Sequence, residues 1–174
     1  MKPRTKINST PTNFDFEKIK KWLFREQQQL NEGFYCNIEI IEKSFECNHL
    51  ITLDYDEEPI GFLVWSEGEI HVNVEIVELK PDFRGIGIGK MFIDEILDLF
   101  KKKGLAAVKL FCSPRESEEF WIKMGFVKFP SRGYAEHELT YYKPLMQTLS
   151  SGNNTKAIYK VELWDVEPYR VEST

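Results

Sequence analysis

Val77-Glu78-Leu79-Lys80-Pro81-Asp82-Phe83-Arg84-Gly85-Ile86-Gly87-Ile88-Gly89-Lys90 is the stretch that decides how this chain is read. A strand running to Leu79 ends at Pro81, and three alternate glycines then feed a helix with the apolar stripe Phe92, Ile93, Ile96, Leu97 and Phe100. Glycines let a backbone approach an anion closely, and a helix N-terminus supplies N–H groups with partial positive charge. The segment therefore reads as a phosphate cradle, although a tight strand-to-helix turn would use the same glycines without any ligand. Spacing excludes two other phosphate motifs. A Walker loop needs Lys followed by Ser or Thr, whereas Lys90 is followed by Met91. A dinucleotide fingerprint needs Gly-x-Gly-x-x-Gly, which no register of Gly85, Gly87 and Gly89 supplies.

Upstream, Phe16, Ile19, Leu23, Gln27 and Leu30 repeat at helical spacing from Phe14 to Asn31, with Lys20, Lys21, Arg25 and Glu26 expected to face outward. A second helix is predicted from Asn37 to Cys47 on Ile38, Ile41 and Phe45. The period then changes to two, predicting strands at Leu50 to Asp54, Ile60 to Trp65 and Ile70 to Leu79 in an antiparallel meander. Downstream, Lys101, Lys102 and Lys103 complement the C-terminal end of the helix dipole, so they need no polyanionic partner. A strand from Leu105 to Cys112 follows. Ser113-Pro114-Arg115-Glu116 is expected to cap a short helix ending at Gly125, and Phe126 to Phe129 and Leu139 to Tyr142 read as strands. Residues 1–12 are expected to form a loose tail, and residues 146–174 a linker plus one appended strand over Ala157 to Leu163. That strand would either cover a sheet edge or exchange with a second subunit as a homodimer.

The 174 residues suffice for one domain, and 23 basic against 28 acidic side chains give a net charge of -5. That balance argues against a binder of nucleic acid backbone. No long apolar run exists to span a membrane. Cys36, Cys47 and Cys112 are widely spaced without a CxxC pair, so they read as free thiols of a reducing cytoplasm rather than metal ligands.

Arg84-x-x-Gly87-x-Gly89 after a strand resembles motif A of the GNAT superfamily of acyl-CoA-dependent N-acetyltransferases. Ser117-Glu118-Glu119-Phe120-Trp121-Ile122-Lys123-Met124-Gly125-Phe126 resembles its motif B, in the right order and at the right distance. The resemblance covers roughly Leu50 to Leu145. It implies an α+β, three-layer α/β/α fold over residues 13–145, with a mixed, mostly antiparallel sheet splayed between its fourth and fifth strands. It also implies acetyl-CoA as co-substrate, no metal, and an amine acceptor. In the family's manner the pyrophosphate would meet Arg84, Gly85, Ile86, Gly87, Ile88, Gly89 and Lys90, and pantetheine would pair with Val77, Glu78 and Leu79.

Amine acetylation needs a group to take the amine proton and sometimes an acid for the departing thiolate. Strict alternation would place Val72, Val74 and Ile76 on one face of their strand and His71, Asn73 and Glu75 on the other. Glu75 is the candidate base, with Asn73 beside it and His71 as an outer relay; a merely solvated sheet face is the competing reading. The family's usual tyrosine acid is replaced by Trp121 and its usual asparagine by Pro114. The acid role thus stays open to Tyr134, Tyr141, Tyr142 or no residue. Two function classes follow: an N-acetyltransferase acting on a primary amine, and a catalytically silent acyl-CoA sensor or scaffold.

Overall fold

The computed structural model describes residues 5–30, 33–129 and 139–146. They form strands β1 (Thr5–Asn8), β2 (Leu50–Tyr55), β3 (Glu58–Glu67), β4 (His71–Leu79), β5 (Ala107–Phe111), β6 (Val127–Lys128) and β7 (Thr140–Pro144). The helices are α1 (Asn13–Leu30), α2 (Ile38–Glu46), α3 (Ile88–Lys102) and α4 (Glu118–Lys123). One sheet has the order β1-β2-β3-β4-β5-β7-β6, antiparallel everywhere except the parallel β4–β5 pair. The parallel pair follows from the α3 crossover, which returns the chain in the same direction.

Helices cover both faces. Phe16, Ile19, Trp22 and Leu23 of α1 and Ile41 of α2 pack on Leu50, Phe62, Val64 and Ile76. On the other face Phe92, Ile93, Ile96, Leu97 and Phe100 of α3, Trp121 of α4 and Met124 just after it pack on Leu63, Trp65, Val72, Val74, Val108 and Leu110. The amphipathic stripe anticipated for α3 is fully buried. This is the expected three-layer mixed-sheet fold.

Three expectations are corrected. Thr5–Asn8 is no loose tail: it pairs with Thr52 to Tyr55 as an edge strand, where the alternation Thr5, Lys6, Ile7 puts Ile7 against the α3 core. Ser113 does not cap a helix: Pro114 precedes a 3-10 turn at Arg115–Ser117 that leads into α4, and neither start has a side-chain cap. The Ser117 hydroxyl donates to the Pro114 carbonyl at 2.8 Å instead. Ile76 does not share a face with Val72 and Val74. Register passes from Val64 opposite Ile76 to Trp65 opposite Val74, so Glu75 is the extra residue of a β-bulge and every side chain after it changes face. Ile76 accordingly joins the α1 core. The linker and appended strand after Gln147 lie outside the described residues.

Candidate functional site

The β4–β5 pairing runs from His71 opposite Ala107 to Val74 opposite Leu110 and stops there, although β4 continues to Leu79. The bulge at Glu75 thus marks the vertex of a splay. Lys80 N–H donates to Ile60 O at 2.8 Å, which makes that couple a hydrogen-bonded pair of the β3–β4 ladder. Alternation in an antiparallel ladder then makes Gly61–Leu79 and Leu63–Val77 non-hydrogen-bonded pairs. Val77 and Leu79 consequently turn their N–H and C=O groups away from β3, toward the splay.

At the far end of β4 the backbone turns through a 3-10 segment, Pro81–Phe83, into the glycine loop. Gly85 and Gly87 hold φ of 74° and 89°, and Gly87 is the left-handed N-cap of α3 with no side-chain cap. A Cβ built at Gly85 or Gly87 meets nothing within 4 Å. The glycines are therefore required by backbone conformation, and the space in front of them is open. The first-turn N–H groups of Ile88, Gly89 and Lys90 have no acceptor inside the helix. Leu79 fixes this end by wedging between two glycines: a Cβ at Gly61 would lie 2.3 Å from Leu79 Cδ2, and one at Gly89 would lie 3.3 Å from Leu79 Cδ1. The outward-facing edge of Val77, an open glycine turn and an uncapped helix N-terminus together have the chemistry to meet the amides and pyrophosphate of an acyl coenzyme.

Arg84, expected among the coenzyme contacts, directs its guanidinium back into the protein. Nε donates to Leu79 O at 2.8 Å, and Nη2 reaches Glu26 Oε1 at 2.6 Å and Glu78 Oε1 at 2.8 Å. Glu26 is buried rather than outward-facing, 4% exposed, and accepts from Trp22 Nε1 at 3.0 Å. Burial raises the Glu78 carboxyl to about 7, Arg84 opposing and Glu26 reinforcing the shift. The ion pair alone would lower it, but a guanidinium shared with Glu26 does not offset the burial of Glu78. Sequence reasoning missed Glu26 and Gly61. The one available signal was that Trp22 and Glu26 stand four apart, beside the apolar stripe of α1.

At the vertex, Ser66 Oγ donates to Glu75 Oε1 at 2.6 Å and accepts from Asn73 Nδ2 at 3.3 Å. Ser66 lies opposite Asn73 in the ladder, one residue beyond the strand that alternation predicts over Ile60 to Trp65. Glu75 is exposed, so its carboxylate is open to a solute. His71 stands apart at the first residue of β4. Its ring crowds Gly68, where a Cβ would lie 2.4 Å from Cε1. The structure thus groups Glu75 and Asn73 through Ser66 and leaves His71 at the hairpin.

Tyr141 donates its hydroxyl proton to Glu118, and that bond pushes the phenol up to about 12. Such a group is a weak acid for a thiolate. Tyr142 packs edge-on against Phe129, and Trp121 is buried between Phe120 and Phe126, as an aromatic anchor for α4 would be. Tyr134 lies outside the described residues. Among the described residues no group of three or more His, Cys, Asp or Glu is arranged to hold a metal, and no helix is long and apolar enough to cross a membrane.

Residues 14–126 match the acetyltransferase (GNAT) family. The uncharacterized N-acetyltransferase ycf52 of Pyropia yezoensis is 28% identical over 78 residues, 44% of either chain. Its counterpart from Porphyra purpurea is 28% identical over 72 residues, 41% of either chain. The chain thus spans less than half the length of these curated relatives. Among solved structures, the Escherichia coli GNAT family N-acetyltransferase YhbS in complex with CoA superposes with a TM-score of 0.64 at 17% identity, covering 84% of each chain. The PaiA N-acetyltransferase of Thermoplasma acidophilum, in complex with coenzyme A, gives 0.59 at 18%, covering 80% of this chain and 98% of that one. At these identities the superpositions establish a shared fold.

Proposed function

This chain belongs to the acetyltransferase (GNAT) family, and we propose that it transfers an acetyl group from acetyl-CoA to a primary amine at the vertex of the β4–β5 splay. The observation that carries this reading is a coincidence of three features at one residue. Glu75 is the bulge, it sits where β4–β5 pairing ends, and its carboxylate is exposed. A thioester donor supplies the activated acyl group. The chain's own residues hold and orient: N–H groups from Gly85 to Lys90 face the pyrophosphate, and the outward N–H and C=O of Val77 pair with pantetheine. Glu75 takes the proton of the amine, directly or through a water, with Asn73 and Ser66 fixing the carboxylate. His71 is too far along the strand to share that contact, so no step is assigned to it. With Tyr141 bonded to Glu118, its phenol is given no part in protonating the departing thiolate. Free Cys36, Cys47 and Cys112 support a reducing compartment.

The test is a coupled assay of thiol release with acetyl-CoA and a panel of polyamines, aminoglycosides, amino acids and peptides. Release above the amine-free rate with any amine supports the transferase. Tight acetyl-CoA binding with no turnover on any amine supports the silent sensor instead.

A further inference from the structure

The two backbone groups that Leu79 turns toward the splay are both taken by side chains. Its N–H donates to Glu78 Oε1 at 3.1 Å and its C=O accepts from Arg84 Nε at 2.8 Å. Arg84 Nη2 donates to that same Glu78 oxygen at 2.8 Å, closing a ring of hydrogen bonds. Leu79 thereby receives what the amides of a neighbouring strand would give it, one acceptor and one donor. Those are also the groups that an amide of pantetheine offers a free edge. The ring and the coenzyme cannot both have the Leu79 N–H.

We propose that the Glu78 carboxylate is a positioning group that competes with the coenzyme, holding the Leu79 N–H until a pantetheine amide takes it, so that coenzyme binding draws a proton onto this carboxylate. The proposal rests on the coenzyme reading above and adds a link between pH and affinity. The charged groups that face Glu78 are Arg84 from the loop and Glu26 from α1, and Glu26 is itself held by Trp22. One guanidinium thus serves two buried carboxylates, whose side chains are 3% and 11% exposed. A proton on Glu78 leaves Arg84 and Glu26 as a balanced pair. The Leu79 N–H is one of the contacts that favour the ionised form, and burial already holds the carboxyl near 7. Losing that N–H pushes the carboxyl further up, so a proton enters at neutral pH.

Calorimetric titration of the whole chain with coenzyme A, in two buffers of different ionisation enthalpy, tests this on the wild type, Glu78→Ala and Glu78→Gln. The wild type is expected to take up more protons on binding near pH 7 than either variant, and to tighten more steeply as pH falls. Titration of the coenzyme's own phosphates is common to all three proteins and cancels in the comparison. At about pH 8 the alanine variant, lacking the competitor, is expected to bind on the order of tenfold more tightly than wild type. A purely structural role for Glu78 has the opposite sign, weaker binding on truncation. Equal or weaker binding by Glu78→Ala overturns the proposal, as does proton uptake by Glu78→Gln equal to that of the wild type. Should the alanine variant fail to fold, the glutamine comparison decides alone. If the wild type does not bind coenzyme A at all, the coenzyme reading falls and the proposal with it, an outcome distinct from wild-type binding without the Glu78 effect.

Discussion

The two ends of β4 are built on opposite terms. At the vertex, Glu75 sits on a bulge, exposed, and is tied to Ser66 and through it to Asn73. Four residues on, Leu79 is wedged between Gly61 and Gly89, and a guanidinium flanked by two buried carboxylates binds its carbonyl. In the proposed function this contrast puts rigidity where a coenzyme many atoms long would lie and access where a proton acceptor would work. A single strand supplies both because the bulge changes which face its side chains occupy half-way along.

The sharpest way to break this contrast is at the loop end. Gly87→Glu puts a carboxylate and a strained φ of 89° where the coenzyme phosphates are proposed to sit. Since a Cβ there meets nothing within 4 Å, the fold should survive while coenzyme A affinity falls at least about a hundredfold; retained affinity by calorimetry would remove the phosphate assignment. At the vertex, Glu75→Gln should lower kcat by roughly a hundredfold or more and leave coenzyme affinity close to wild type. Equal losses in both parameters would mean that the vertex is as structural as the loop end. Gly61→Val drives a side chain into Leu79 and should cost about 1–3 kcal/mol in urea unfolding, with weaker coenzyme binding as a consequence. A stable variant with normal affinity would show that the wedge is dispensable.

The smallest effect is a pH slope. Because burial raises the Glu78 carboxyl from 4.5 to about 7, its contribution to stability is complete below 4.5 and is lost as pH rises through 7. Urea unfolding of the wild type should therefore show stability falling over that window more steeply than in Glu78→Gln. Parallel pH profiles would mean that Arg84 neutralises Glu78 after all, and that the loop end is held by an ordinary ion pair.

Much of this was legible in the residues. The loop glycines, the α3 stripe and the change from helical to strand period place the glycine turn between β4 and α3, because each rests on local backbone sterics or on a face that must be buried. Glu75 and Asn73 were legible as polar residues on a central strand. What misled was strict alternation: nothing in Val74-Glu75-Ile76 announces a bulge, since the inserted residue is specified by the partner strand and by two cores competing for Ile76. Thr5–Asn8 was missed for a similar reason, four residues being too short for periodicity until β2 offers an edge. Glu26 read as solvated because a carboxylate on a helix usually is; its burial depends on an arginine 58 positions away.

Neighbouring residues alone dictate that a strand ends before Pro81, that a glycine turn follows and that a helix begins behind it. Only the tertiary structure decided that β4 leaves β5 at Glu75, that Leu79 is clamped by Glu78 and Arg84, and that Glu26 is interior. These depend on pairing and desolvation between segments far apart in the chain, for which local order carries no physical constraint.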